Sequence, residues 1–363
     1  MSTETPTKEK IASLQALRTF AFLGIFLRHA DCRLNWPSLG VSIFFVMSGF
    51  LMMYRYYDKK ISVTLTDNLK FAINKIKKLY PLHLITMGFM LLLSIIIFLY
   101  QGNLAQNILN LIFKIGLNIS LTQSWVPKSD LNVSLNGVSW YLSATLFMYF
   151  MFPYIKKLIV STKRTTLLFW GIITLLLQVV LCIPMLYIFG DNSEAYIWFM
   201  YQFPIFRLGD FFVGCIMGKI FREKGNFEQD KNNIVLWTVI EFGFAVVSLI
   251  ILLWPVNIDF VLLKVAKNWT TRYILLAAGW IYLFVIKKGL FTKLCDNKVF
   301  VFLGNISAYM FLIHYVIIRY TSNILEYMDI SLNVWEKSVV IIGELIVTIA
   351  LSTLFSRIRI KKE

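Results

Sequence analysis

Apolar stretches recur along the chain at 12–30, 39–57, 80–100, 138–155, 165–189, 203–221, 234–254, 270–286, 299–319 and 338–356. Crossing ~30 Å of hydrocarbon takes roughly 20 helical residues, so each stretch predicts a transmembrane helix, about ten altogether. A shorter stretch at 104–121 reads differently. Asn107, Asn110, Lys114 and Asn118 recur at helical spacing, opposite Leu104, Ile108, Leu111, Ile112, Ile115 and Ile119. That two-faced pattern predicts an amphipathic helix lying in the interface rather than an eleventh span.

Charge placement orients these elements. The polar N-terminus 1–10 and the connections 58–78, 156–164, 219–233, 287–298 and 357–363 hold 24 of the 36 Lys and Arg. The alternate connections hold only Arg33, Lys114, Lys128, Lys264, Lys267, Arg272 and Lys337. Basic residues are retained on the cytoplasmic side. The expectation is an all-α polytopic helix bundle with both termini cytoplasmic, and an eleventh crossing at 104–121 would invert every later connection. No linker, low-complexity tract or internal repeat divides the chain, so 1–363 reads as a single membrane domain. Pro153, Pro184 and Pro204 fall within or near helix ends, where neighbouring helices can satisfy the freed carbonyls.

Composition agrees. Apolar residues make up 58% and charged residues 15% of the chain, against about 25% charge in soluble domains, which excludes disorder, collagen and coiled coil. The net charge of +16 would suggest nucleic acid in a soluble protein; here its placement reads as topology, and no nucleic-acid partner is expected. Cys32, Cys182, Cys215 and Cys295 are scattered, without disulfide or metal-ligand spacing. The N-terminus lacks the pattern of a cleaved signal peptide.

An ionisable side chain at the bilayer centre costs ~2.5–3.5 kcal/mol on insertion scales and so needs a partner or a wet cavity. Those inside the spans are Arg18, His29, Arg207, Asp210, Glu241, His314 and Glu344. Arg18 and His29, eleven residues apart, lie within roughly 20° on one helix face and ~16 Å apart along it. They could line one channel from opposite sides, or Arg18 could snorkel inward while His29 sits in the outer interface. His314 lies at a depth similar to His29, giving an imidazole pair, a shared cavity or a packing histidine. His83, after Tyr80 and Pro81 at the cytoplasmic start of its span, reads as an interfacial anchor. Arg207 and Asp210 form an i, i+3 pair able to neutralise one another. Gly209, Gly214 and Gly218 on the same helix offer close-packing faces. Glu241 and Glu344 read as helix–helix hydrogen bonds. Lys70, Lys75, Lys77 and Lys78 form a basic cluster, either contacting anionic lipid or binding phosphates.

Together these residues resemble the acyltransferase 3 family of integral-membrane acyltransferases over nearly the whole chain. LQALRTFAFLGIFLRHA is similar to the family's LRxxA opening and Arg-x10-His pattern, met by Arg18 and His29. GVSIFFVMSGFLM resembles the FFVxSGF motif, with Ser48 and Gly49 at its Ser-Gly. NGVSWYLSATLFMYFMFP, starting its motif at Trp140, FPIFRLGDFFVGCIMG, and LGNISAYMFLIHYVII with Ser307 and His314 follow in the family's order. Two departures stand out. Lys75 and Lys78 occupy an Arg-x-x-Arg position, which loses the planar guanidinium fork. Thr145 stands where some members carry a glutamate.

The resemblance implies transfer of an acyl group, commonly acetyl, from cytosolic acyl-coenzyme A to a hydroxyl of a carbohydrate acceptor. Acyl-CoA is a co-substrate, with no resident cofactor or metal. The implied site has Lys75, Lys77, Lys78 and Ser48 on the donor, His29 and Arg18 at the chemistry, and Trp140, Arg207, Asp210 and His314 as substrate-binding residues. His29 would be the general base, oriented by Asp31 or Asp210, or would carry the acyl group itself. Arg18 would position the donor or stabilise negative charge. The implied location is the bacterial cytoplasmic membrane. Members with an esterase-like extension are longer, and no such domain is expected within 363 residues. The alternative reading is a transporter or flippase of a lipid-linked glycan, with the buried charges lining its path.

Overall fold

The computed structural model describes residues 12–31, 37–190, 193–224, 233–253 and 270–360, and every regular element among them is helical. The polar N-terminus 1–10, Cys32 and most of the connection 255–272 lie outside the described residues.

Each of the ten expected spans coincides with a helix: α1 (Ala12–His29), α2 (Pro37–Tyr56), α4 (Tyr80–Tyr100), α7 (Trp140–Ser161), α8 (Arg164–Phe189), α10 (Pro204–Lys224), α11 (Ile234–Leu253), α12 (Thr270–Ile286), α14 (Lys298–Tyr327) and α15 (Val334–Ile360). Among the described residues, seven helices are long and apolar enough to cross a membrane, and α1, α10 and α12 fall outside that set. For α1 and α10 the reason is position. Packed against α2, α12 and α14, and against α2, α7, α8 and α12 respectively, they meet protein on most sides and can carry Arg18, His29, Arg207 and Asp210. By contrast α8, α11 and α15 present apolar faces outward, through residues such as Phe169, Phe242 and Ile346.

Close backbone approach sets the centre. A Cβ on Gly214 of α10 would run into the carbonyl of Val46 on α2, and one on Gly49 of α2 would meet that of Phe211. Gly304 of α14 stands equally close to the backbone of Gln15 on α1, where Thr19 Oγ1 also donates to Phe300 O at 2.8 Å. These glycines lock α1 and α14 on one side of the centre, and α2 and α10 on the other.

The connection 58–78 contains α3 (Leu65–Ile76), capped by Thr64, whose hydroxyl accepts from Asp67 N at 3.2 Å. Asn68, Ala72 and Ile76 are buried, and Phe71 stacks on Phe152 of α7 at 5.8 Å. Leu65, Leu69 and Ile73 form an exposed apolar stripe, so this basic connection is also a packed amphipathic helix.

The helix α5 (Leu104–Ile119) forms over the expected stretch, but it runs back beside α4 instead of lying across its far end. It folds back along α4: Tyr80 donates to Ile119 O at 2.8 Å, and His83 Nε2 lies 2.9 Å from Asn118 O. Its polar face joins the following connection, through Lys114 with Asp130 at 2.5 Å and Asn118 with Ser134 and Ser139 at 2.9 and 3.0 Å. Ile108, Leu109, Ile112 and Phe113 are exposed. His83 is therefore a fully buried member of this network rather than an interfacial anchor.

Short helices α6 (Ser129–Asn132), α9 (Glu194–Tyr201) and α13 (Leu290–Cys295) complete the chain. Glu241 of α11 caps α13, accepting from Phe291 N at 2.9 Å and Thr292 Oγ1 at 2.5 Å. Its role is a helix cap, a more specific one than the expected helix–helix bond.

Candidate active site

The Arg18–His29 face of α1 is continuous, and it looks onto α2, α7 and α14. The Arg18 guanidinium lies 5.9 Å from the Phe44 ring centroid. Its Nε is buried without a hydrogen-bond partner among the described residues, and Tyr141, Tyr149 and Arg55 are its electrostatic neighbours. Ser48 Oγ and Tyr149 Oη are 3.0 Å apart across α2 and α7. The Ser-Gly pair of the second span thus divides its work: Ser48 turns to the polar line while Gly49 packs on α10.

From Arg18 an aromatic wall leads toward His29. Phe44 meets Phe311 edge-on at 6.2 Å, and Phe311 lies 6.0 Å from the His314 ring. At the end of the wall His29 Nδ1 and His314 Nε2 are 3.0 Å apart. His314 Nδ1 lies 3.1 Å from Met310 O. His314 is fully buried against Phe22 at 5.5 Å and Phe26 at 6.2 Å. His29 is half-buried, with Tyr315 edge-on at 5.4 Å.

The expected orienting carboxylate is displaced by this pair. Asp31 is exposed. Asp210 is engaged by Arg207 Nη2 at 2.8 Å with both side chains fully buried. Of the imidazole pair, shared cavity and packing roles left open for His314, the geometry gives the pair.

Arg207 packs against α2. It donates to Ser42 Oγ at 3.1 Å and lies 4.9 Å over the Phe45 ring. Phe45 also stacks on Tyr141 at 4.5 Å and meets Trp140 at 6.2 Å. Trp140 in turn faces Tyr201 at 5.1 Å and is buried. Arg207, Asp210 and Trp140 are thus brought together behind the aromatic wall, with Arg207 Nε and Nη1 and Asp210 Oδ2 buried without a hydrogen-bond partner among the described residues.

In the basic connection, Lys75 Nζ bonds Tyr56 Oη and lies 4.3 Å over the Tyr56 ring. Lys77 and Lys78 are exposed in the turn that follows α3. The cluster is thus set beside the end of α2 that carries Arg55.

Two residues escaped the sequence reading. Tyr141 has both Arg18 and Arg207 as electrostatic neighbours, and Tyr149, bonded to Ser48, has Arg18 as one. With Thr145 they stand at i, i+4 and i+8 on α7, a spacing visible in the sequence. Thr145 Oγ1 donates to Tyr141 O at 2.7 Å, so its hydroxyl is closed onto its own helix. Among the described residues no group of three or more His, Cys, Asp or Glu is gathered as a metal site requires.

The connection 123–139 walls the histidine end. Asn136 Nδ2 donates to Thr86 Oγ1 at 2.9 Å and to Leu312 O at 3.0 Å, two residues before His314. Trp198 Nε1 donates to Ser124 O at 2.8 Å. Ser129 ties the same segment to Glu194 through its hydroxyl at 2.6 Å and its backbone N–H at 3.1 Å. Those two bonds, the hydroxyl first, hold the Glu194 carboxyl below its ordinary value.

The model of a family described as an acyltransferase domain matches residues 11–357. Acyltransferase MdmB of Streptomyces mycarofaciens is 28% identical over 246 residues, covering 60% of this chain and 59% of that protein. O-acetyltransferase OatA of Staphylococcus aureus is 24% identical over 327 residues, covering 86% of this chain and 51% of that protein. The chain thus spans between half and three-fifths of the length of these curated relatives. No solved structure matches it.

Proposed function

The chain belongs to this acyltransferase family, and from that premise we propose that it is a membrane O-acyltransferase. The donor is cytosolic acyl-CoA, acetyl-CoA in the simplest case. The acceptor is a hydroxyl of a cell-surface glycan or its precursor, at the cytoplasmic membrane of a bacterium. The names of the relatives, an acyltransferase and an O-acetyltransferase, support the reaction class. The observation that carries the reading is the imidazole pair at 3.0 Å on the same face of α1 as Arg18.

In this scheme His29 Nε2 takes the acceptor hydroxyl proton as the oxygen attacks the thioester carbonyl. The C–S bond breaks, and the proton passes to the departing CoA sulfur, so proton and leaving group balance. Arg18 cannot reach the same carbon. Its Cα is ~16 Å from that of His29 along the axis, its side chain extends about 7 Å, and helical side chains lean toward the N-terminus. Arg18 therefore holds the donor, with Ser48 and Tyr149 beside it, while Lys75, Lys77 and Lys78 receive the phosphates of coenzyme A.

The test is acceptor-dependent release of CoA thiol by purified protein in nanodiscs, with acetyl-CoA and surface glycan isolated from the producing cells. His29→Ala, at wild-type membrane levels, is expected to abolish release. Translocation of a lipid-linked glycan without thiol release would overturn the proposal in favour of a flippase.

A further inference from the structure

Two hydrogen bonds fix the tautomers of the imidazole pair. A carbonyl oxygen only accepts, so His314 Nδ1, 3.1 Å from Met310 O, carries the proton of that bond. His314 is fully buried among Phe22, Phe26 and Phe311, and no carboxylate is bonded to it among the described residues. An imidazolium enclosed by phenyl rings without a counter-ion is costly, so the ring is neutral. A neutral imidazole protonated at Nδ1 presents a bare lone pair at Nε2. That atom faces His29 Nδ1 at 3.0 Å, so His29 Nδ1 is the donor. The proton of a neutral His29 is then on Nδ1, and its Nε2 lone pair is left free.

We infer that His314 is a positioning residue that holds His29 in the Nδ1–H tautomer, so that Nε2 is the basic nitrogen offered to the acceptor hydroxyl. The inference rests on the transferase reading, in which His29 is the general base. The alternative tautomer would put a proton on Nε2, in the place where the base must accept one. The carbonyl of Met310 lies one helical turn before His314 on the same helix, so the direction of the whole relay is set by α14. His314 thereby leaves the substrate-binding residues implied by the resemblance and acts through His29.

The experiment separates tautomer from turnover. The chain has only three histidines, so 15N-histidine NMR in nanodiscs resolves His29, assigned by the loss of its signals in H29N. Wild-type protein is expected to show a protonated Nδ1 and a bare Nε2. H314L, which offers no acceptor, is expected to move His29 toward the Nε2–H form and to lower kcat by about 10²-fold, with KM for acyl-CoA unchanged. H314Q places an amide oxygen near the lost Nε2 and is expected to restore the tautomer and to keep kcat within about tenfold of wild type. A His29 spectrum and kcat unchanged in H314L would overturn the inference, as would equal losses in H314L and H314Q with the tautomer intact. A tautomer shift in H314L with a wild-type protein that transfers no acyl group supports the relay and sinks the transferase reading instead.

Discussion

Arg207 and Asp210, one turn apart on α10, form a 2.8 Å ion pair with no exposed side-chain surface. Arg207 also donates to Ser42 on α2. The pair thus joins two helices whose backbones already touch through Gly214. Removing one partner leaves the other charge buried and alone, which costs about 3–5 kcal/mol. Asp210→Ala and Arg207→Ala are expected to lower thermal stability in detergent by that amount. The double variant Arg207→Met/Asp210→Leu is expected to recover much of it. A pair that instead bound substrate would show normal stability and a raised KM in the single variants.

The surroundings of two glycines, one on α10 and one on α11, make a second prediction with opposite signs. A Cβ on Gly214 would collide with the Val46 carbonyl, whereas one on Gly243 of α11 meets nothing within 4 Å. Gly214→Ala is expected to destabilise by about 1–3 kcal/mol by forcing α2 and α10 apart. Gly243→Ala is expected to stabilise by up to ~1 kcal/mol through helix propensity. Thermal unfolding of both variants in one detergent decides the matter.

The sequence makes the helices and the odd residues visible, but it does not show their partners. Apolar length announced each of the ten stretches, and the cost of burying charge singled out Arg18, His29, Arg207 and Asp210. The bond between His29 and His314 joins residues 285 apart in sequence, and no local periodicity encodes it. Basic residues carry more than an orientation signal. Lys219, counted with the charges that orient the chain, also caps the C-terminal end of α7 through its Nζ, 3.0 Å from Ile159 O and 2.6 Å from Thr162 O. Similarly, Lys70, Lys75, Lys77 and Lys78 obscured the amphipathic pattern of α3, because a charge-rich connection and a packed helix with a polar edge have similar composition. His83 was misjudged because the return of α5 along α4 is a tertiary event.

The tie between Glu194 and Ser129 predicts a pH effect outside the spans. The folded-state carboxyl titrates below its ordinary value because Ser129 donates to it. A depressed folded value means that the stabilisation is fully present above the ordinary carboxylate range and is lost as pH falls through the lowered value. Hydrogen-exchange protection across 123–133 and 193–201, with rates corrected for the pH dependence of intrinsic amide exchange, is expected to fall on acidification in wild type. In Glu194→Gln that protection is expected to be low already at neutral pH and to change little.

Arg18 and His29 share a helix face yet stand too far apart to serve one atom, and this separates their kinetic signatures. If Arg18 holds the donor, Arg18→Ala raises KM for acyl-CoA and weakens binding of a non-reactive thioether analogue, each by on the order of tenfold, equivalent to ~1.4 kcal/mol. Arg18→Lys keeps the charge but loses the planar fork, and is expected to fall between wild type and Arg18→Ala. His29→Ala is expected to bind the analogue normally and to lose turnover. Both sets of values can be measured on the same nanodisc preparations by analogue binding and thiol release. A loss of kcat in Arg18→Ala with analogue affinity intact would place the guanidinium at the reacting carbonyl, and would require α1 to unwind or bend between residues 18 and 29.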